Sequence, residues 1–176
     1  QAEKILCEKN PDMDSNEVKL LSKALGIGAI KYADLSCNRI GDYTFSYERM
    51  LRFEGNTAAF LMYSYVRAVS IKRKADVDIE LLKQNPHIDL EHPSEIALAL
   101  HLAQFGETIE SMSKDLMPNR LTDYLYELAE KFNAFYRDCS VIGSESQNSR
   151  LLLAEAVAMT MKTGLEILGL TVVDRM

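Results

Sequence analysis

The 176-residue sequence has no tryptophan, four prolines, eight glycines and three cysteines. Cys7, Cys37 and Cys139 are isolated and odd in number, and none forms a C-x-x-C pair. Reduced thiols are therefore expected, rather than a disulfide framework or a zinc site. His87, His92 and His101 do not stand at ligand spacing with the cysteines, so no metal is expected. No run of about 18 apolar residues occurs, so neither a transmembrane helix nor a membrane partner is expected. The opening QAEKILCEKNPD has neither the basic nor the apolar region of a signal peptide, which predicts a cytoplasmic location. It also lacks a starting methionine, which suggests a fragment or a processed product. Catalytic signatures are missing as well: there is no Walker loop, no H-E-x-x-H and no G-x-S-x-G. The acidic run ADVDIE, residues 75–80, lacks the glycine and terminal glutamate that a calcium loop needs. It reads as a solvated helix start.

The sequence does contain helical periodicity from end to end. Hydrophobic residues make up 47% and charged residues 26%, the balance of one folded domain. Val18, Leu21, Leu25 and Ile30 stand at helical spacing behind Ser15, the expected N-cap. Gly26 and Gly28 lie inside that helix with no strand before them, so close helix packing is expected rather than phosphate binding. A loop and a short helical turn precede Gly55, and an uninterrupted helix runs from Thr57 to Lys74. A short aspartate-capped helix follows over 76–83, then a connector with two prolines. One long helix is predicted over residues 94–116, before Pro118 breaks the pattern, with Ile96, Leu100, Ala103 and Ile109 as its buried stripe. His101 inside it reads as a hydrogen-bonded helix residue, not a base. Leu121, Leu125, Leu128 and Phe132 mark the next helix, and the last ends at Gly169 before the tail TVVDRM. The expected fold is all-α, a bundle of five or six helices in one domain.

The net charge of −6 is unevenly spread. Residues 31–74 carry eight positive and four negative groups, whereas residues 75–130 carry three and twelve. A local basic surface attracts phosphate even on an acidic chain, because salt confines fields to about 8–10 Å. The helix from Thr57 lies in the basic segment and is apolar almost all round. Phe60, Tyr63 and Arg67 stand at i, i+3 and i+7 on it, and Lys72, Arg73 and Lys74 close it. Two readings stand. One is a base-stacking platform of rings and guanidinium, with the basic run as candidate phosphate contacts. The other is a central bundle helix whose arginine makes an ordinary ion pair.

Several stretches together resemble one family. GAIKYADLS, DYTFSYERML and GNTAAFLMYSYVRAVSI, in that order, are similar to the C-terminal domain of arginyl-tRNA synthetases. DYLYELAEKFNAFYRDC resembles that family's penultimate helix, and ILGLTVVDRM its chain end. Ala59 and the tail point to the cytosolic eukaryotic branch. The resemblance implies a helical bundle of the class I synthetase anticodon-binding type over residues 1–176, with 1–19 at the junction to a missing catalytic domain. It implies an anticodon-binding part of an arginine–tRNA ligase, which attaches arginine to tRNA(Arg) using ATP with magnesium. The fragment itself would hold no cofactor and perform no chemistry. Phe60, Tyr63 and Arg67 would hold the anticodon loop, and Met176 would close the site. Some members carry an aromatic four residues after the penultimate-helix tyrosine, where this sequence has Ser140 after Tyr136. Lys31 and Tyr32 would lie at the junction. Expected partners are tRNA(Arg), the catalytic domain and candidate other synthetases. The alternative is a helical protein-interaction module that binds no tRNA.

Overall fold

Helix starts in this chain are set by side chains that capture the first free amides. A helix leaves its first four N–H groups without internal partners, and a short acceptor just before it satisfies them. Asp14 does this for α2 (Ser15–Leu35), accepting from the amides of Asn16 and Glu17 at 2.9 and 3.4 Å. The cap is therefore Asp14 rather than the expected Ser15. Its carboxylate also meets the positive end of the helix. Thr57 caps α4 (Ala58–Lys74), accepting from Phe60 N–H at 3.2 Å and donating its hydroxyl to the Arg52 carbonyl at 2.6 Å. Asp78 caps the short α5 (Ile79–Gln84).

The computed structural model describes residues 2–9, 11, 13–173 and 175–176, Lys9 by its backbone alone. Of the expected junction 1–19, residues 1, 10 and 12 lie outside the described residues, as does Asp174 of the tail. The remaining elements are α1 (Ala2–Lys9), α3 (Tyr47–Met50), α6 (Pro93–Ala103), α7 (Phe105–Asp115), α8 (Asn119–Asp138) and α9 (Gln147–Ile167). The architecture is all-α among the described residues, with more helices than the five or six expected. The extra ones are α1 and the division of one predicted helix into α6 and α7, while the single turn of α3 is the short helical turn expected before Gly55.

α4 is the central element and packs against α2, α8 and α9. Ala59, Leu61, Met62, Tyr65 and Ala68 are all buried, which is why its sequence shows so few polar residues. α8 buries the predicted Leu121, Leu125, Leu128 and Phe132. Two glycines allow close approach. A Cβ on Gly28 would lie 2.9 Å from the Met62 methyl, and one on Gly164 would lie 2.7 Å from a methyl of Leu125. Gly28 is thus the packing residue the sequence suggested. Gly169, with φ of +71°, ends α9 in the left-handed conformation that favours glycine. Lys31 anchors this end by donating to the Gly169 carbonyl at 2.7 Å.

One predicted stripe is turned, and a second departs at one residue, since Val18, Leu21 and Leu25 of α2 are buried as expected. On α2, Ile30 is exposed, while Ala29 and Tyr32 face inward. On α6, Ile96 and Leu100 are 40% and 64% exposed, and Glu95, Leu98 and His101 are buried instead. Polar pairing decides the face of α6. The Tyr124 hydroxyl donates to the His101 carbonyl at 3.0 Å, the His101 ring stacks on Tyr124 at 4.4 Å, and its Nε2 lies 3.0 Å from the Tyr124 carbonyl. Burial of this pair pushes the Tyr124 phenol well above its ordinary range. The predicted single helix breaks at Gln104, which lets Phe105 follow His101 onto Tyr124 at 5.6 Å.

Replacing Gly164 with alanine tests the α8–α9 contact. Overpacking costs about 1–3 kcal/mol, and the gain in helix propensity offsets about 1 kcal/mol of it. The Gly164→Ala protein is expected to melt a few degrees lower in a calorimetric scan.

Candidate nucleic-acid interface

One strip of α4 escapes the bundle. Tyr63, Arg67, Ser70 and Lys74 follow one another at steps of four, three and four, so they lie in a line along the helix. Tyr63 is 40% exposed, Arg67 and Ser70 are half-buried, and Lys74 is exposed. The start of the strip is fixed by a turn. The Tyr32 hydroxyl lies 2.5 Å from Asn56 Oδ1 and 3.1 Å from the Thr122 carbonyl, tying α2, the turn before α4 and α8 together. Burial, followed by the charge of Asp123, drives the Tyr32 phenol far above its ordinary range, so it stays a neutral hydroxyl. The Asp123 carboxyl is raised by desolvation and then by the charge of Glu127, against the opposing effect of Asn56.

Arg67 is the centre of the exposed strip. Its Nη1 donates to Asn133 Oδ1 at 2.7 Å and its Nη2 to the Tyr63 hydroxyl at 3.1 Å. The guanidinium carbon lies 4.7 Å from the centre of the Tyr63 ring and 5.4 Å from that of Tyr136 on α8. Phe53 meets Tyr63 edge-on at 6.4 Å, and Phe132 backs Tyr136 at 6.4 Å. A guanidinium has five N–H donors, so this cradle leaves most of them for a ligand. The hydrogen-bond partners of Arg67 are neutral, and no carboxylate pairs with it among the described residues. The ordinary ion pair is therefore not what the structure shows. A half-buried cation between two aromatic faces, its charge uncompensated, can receive a phosphate or a base edge, and the rings can take stacked bases.

The remaining sequence candidates divide. Phe60 is half-buried and packs on Tyr126 at 5.7 Å, to one side of the Tyr63–Arg67–Tyr136 stack. Lys72 pairs with Glu155 of α9, which also takes Lys83 at 2.8 Å. Glu155 is buried, so the two lysines hold its carboxyl below the ordinary range against the opposing effect of desolvation. Lys72 is thus committed to the bundle, while Arg73 and Lys74 stay at the surface. Met176 is half-buried against the core and takes no part in the contacts that assemble the stack. Ser140 donates to the Ile142 carbonyl at 3.3 Å and lines a groove of about 340 Å³ beside Tyr136, with Ser70 and Lys74 on the other wall. Residue reasoning missed Asn133 and the role of Tyr136. Their spacing of three on α8, off its apolar stripe, was the available signal.

A family model described as the DALR anticodon binding domain matches residues 61–176. The chain belongs to this family. Residues 1–47 match a second model, the catalytic domain of class I tRNA synthetases (R). The DALR chain is 65% identical over 175 residues to an arginine–tRNA ligase of Protochlamydia amoebophila, covering 99% of this chain and 30% of that one. It is 50% identical over 176 residues to the arginine–tRNA ligase of Chlamydia felis, covering 100% of this chain and 31% of that one. Solved structures agree. The arginyl-tRNA synthetase of Plasmodium falciparum superposes with a TM-score of 0.90 at 33% identity, over 99% of this chain and 31% of that one. That of Thermus thermophilus gives 0.87 at 30%, over 99% and 30%. The chain thus spans about a third of the length of the relatives it matches. The eukaryotic placement finds no support, since these curated relatives are bacterial. Of the features behind it, Ala59 and Leu170 are buried packing positions, which serve any bundle of this shape.

The division of the basic run can be measured. Lys72→Met is expected to cost about 2 kcal/mol, the scale of a charge-assisted hydrogen bond to a buried carboxylate. Lys74→Ala is expected to stay within about 0.5 kcal/mol of the parent in the same denaturant melts. Acid unfolding supplies a second check. A lowered native carboxyl contributes stability above its unfolded value, and that stability is lost as pH falls. The parent should weaken as pH drops below the ordinary glutamate value of 4.5, and Glu155→Gln should weaken less steeply there.

Proposed function

We propose that this DALR chain is the anticodon-binding part of an arginine–tRNA ligase and holds the anticodon loop of tRNA(Arg) on the exposed strip of α4. The observation that carries the reading is the Tyr63–Arg67–Tyr136 stack, an uncompensated guanidinium between two exposed rings within the matched residues. Tyr63 and Tyr136 stack on unpaired bases, and Arg67 takes a base edge or a phosphate. Lys74 and Arg73 attract the backbone along the groove. Phe60 supports the platform from its flank, and Met176 closes the site from the tail that Lys31 anchors. The parent protein joins arginine to the tRNA using ATP with magnesium. Those substrates belong to its catalytic part, and this chain contributes binding without chemistry. The match of residues 1–47 to the catalytic model supports a junction in the first helices, with residues 1–19 nearest to the rest of the enzyme. No helix among the described residues is long and apolar enough to cross a membrane, which accords with a cytoplasmic location. Other synthetases remain candidate partners, and the exposed Leu20, Ile27 and Ile30 of α2 offer the apolar surface a protein partner would use.

Titration of the chain with an anticodon stem-loop of tRNA(Arg) tests the reading. Tyr63→Ala and Tyr136→Ala should each lose about 1–3 kcal/mol of binding, the range for one base-stacking ring. Arg67→Ala should lose as much and flatten the dependence of affinity on salt. Unchanged affinity in all three, with melting curves intact, would overturn it. Salt-insensitive association with a protein and no RNA binding would favour the interaction module.

A further inference from the structure

We infer that Arg150 is a positioning residue for this interface, fixing the C-terminal end of α8 and through it the Tyr136 ring and the wall of the adjoining groove. The inference rests on the RNA-binding reading for its consequence but not for its geometry. Chain leaving a helix is no longer held by the helical ladder and needs an outside donor to fix its course. After α8 the backbone turns extended at Cys139, and the next carbonyl, that of Ser140, accepts from Arg150 Nη1 at 2.7 Å. Arg150 stands in the first turn of α9. Its Nε donates to Glu95 Oε1 at 2.6 Å, and Glu95 is 1% exposed.

Glu95 is itself fixed from the other side. Its second carboxylate oxygen accepts from the amides of His92 at 2.8 Å and Glu91 at 3.0 Å. The same N-terminus of α6 reaches α8 again: His92 Nδ1 lies 2.8 Å from Ser94 Oγ, which lies 3.4 Å from Cys139 Sγ. A planar guanidinium thus spans a buried carboxylate and the chain just after α8 in one fixed fork, a geometry that a lysine cannot reproduce. Breaking such a buried pair is costly, yet apolar replacement of both partners is often neutral, so stability alone does not call for it. What it supplies is position. Tyr136 is one turn before Ser140, and the groove beside it is lined by Tyr136, Cys139 and Ser140 from this end of α8 and by Ser70, Ile71 and Lys74 from α4.

The test uses Arg150→Lys, which keeps a charge for Glu95 and loses the reach to Ser140. A 3-fluorotyrosine placed at position 136 reports the ring by fluorine NMR without RNA. Titration with the tRNA(Arg) anticodon stem-loop reports binding. The expected result is a melting temperature within a few degrees of the parent, a shifted or broadened fluorine resonance, and an affinity lower by about fivefold, the low end for one stacking ring. In a Tyr136→Ala background Arg150→Lys should cost nothing further, as expected when one residue acts through the other. An unmoved, sharp fluorine resonance, or a loss of affinity that persists in full without the Tyr136 ring, would overturn the inference. Should Arg150→Lys fail to fold, the neutral pair Glu95→Gln with Arg150→Met removes the same donor, and the same outcomes decide. If the parent chain binds no stem-loop, the RNA reading fails, while the fluorine measurement still settles the role of Arg150.

Discussion

The burial of α4 on three sides is the constraint from which the rest of the molecule follows. A helix in the middle of a bundle can expose only one narrow line of residues. Here that line is Tyr63, Arg67, Ser70 and Lys74. The neighbours then determine its chemistry. α8 supplies Tyr136 and Asn133, and the turn pinned by Tyr32 sets where α4 begins. A loop-borne site would have more freedom, whereas a site on packed helices inherits the precision of the core.

The electrostatics follow the same logic. The chain carries −6 overall, and its acidic groups are concentrated in 75–130. The bundle uses part of its basic charge internally, with Lys72 and Lys83 on Glu155 and Arg150 on Glu95. Arg67 is treated differently, cradled by neutral groups and aromatic faces so that its field reaches outward. Lys72, Lys83 and Arg150 meet carboxylates, whereas Arg67 meets rings and neutral groups.

Periodicity made the all-α class, the central helix and the stripe of α8 legible. It failed on α6, where Ile96 and Leu100 look like core residues. Glu95 and His101 hold the inward face because Arg150 and Tyr124 wait there, and such distant partners leave no trace in a local pattern. The platform was half legible. Tyr63 and Arg67 were visible because one helix carries both. Tyr136 and Asn133 come from a helix some 70 residues later, and only packing brings the two together. Phe60 shared the spacing but packs on Tyr126. Lys72 shows the converse. Its place in a basic run suggested solvent, and a glutamate 83 residues away took it inside.

The cradle around Arg67 also bears on kinetics. Two hydrogen bonds and two rings order the guanidinium at folding, before any ligand arrives. Complex formation then freezes one fewer long side chain, a saving of about 0.5–1.5 kcal/mol in ordering entropy. On the RNA-binding proposal, an incoming strand would meet a guanidinium that is already ordered. On the same proposal, alterations to the rings would appear chiefly in the residence time of a bound strand, and its rate of arrival would follow long-range charge.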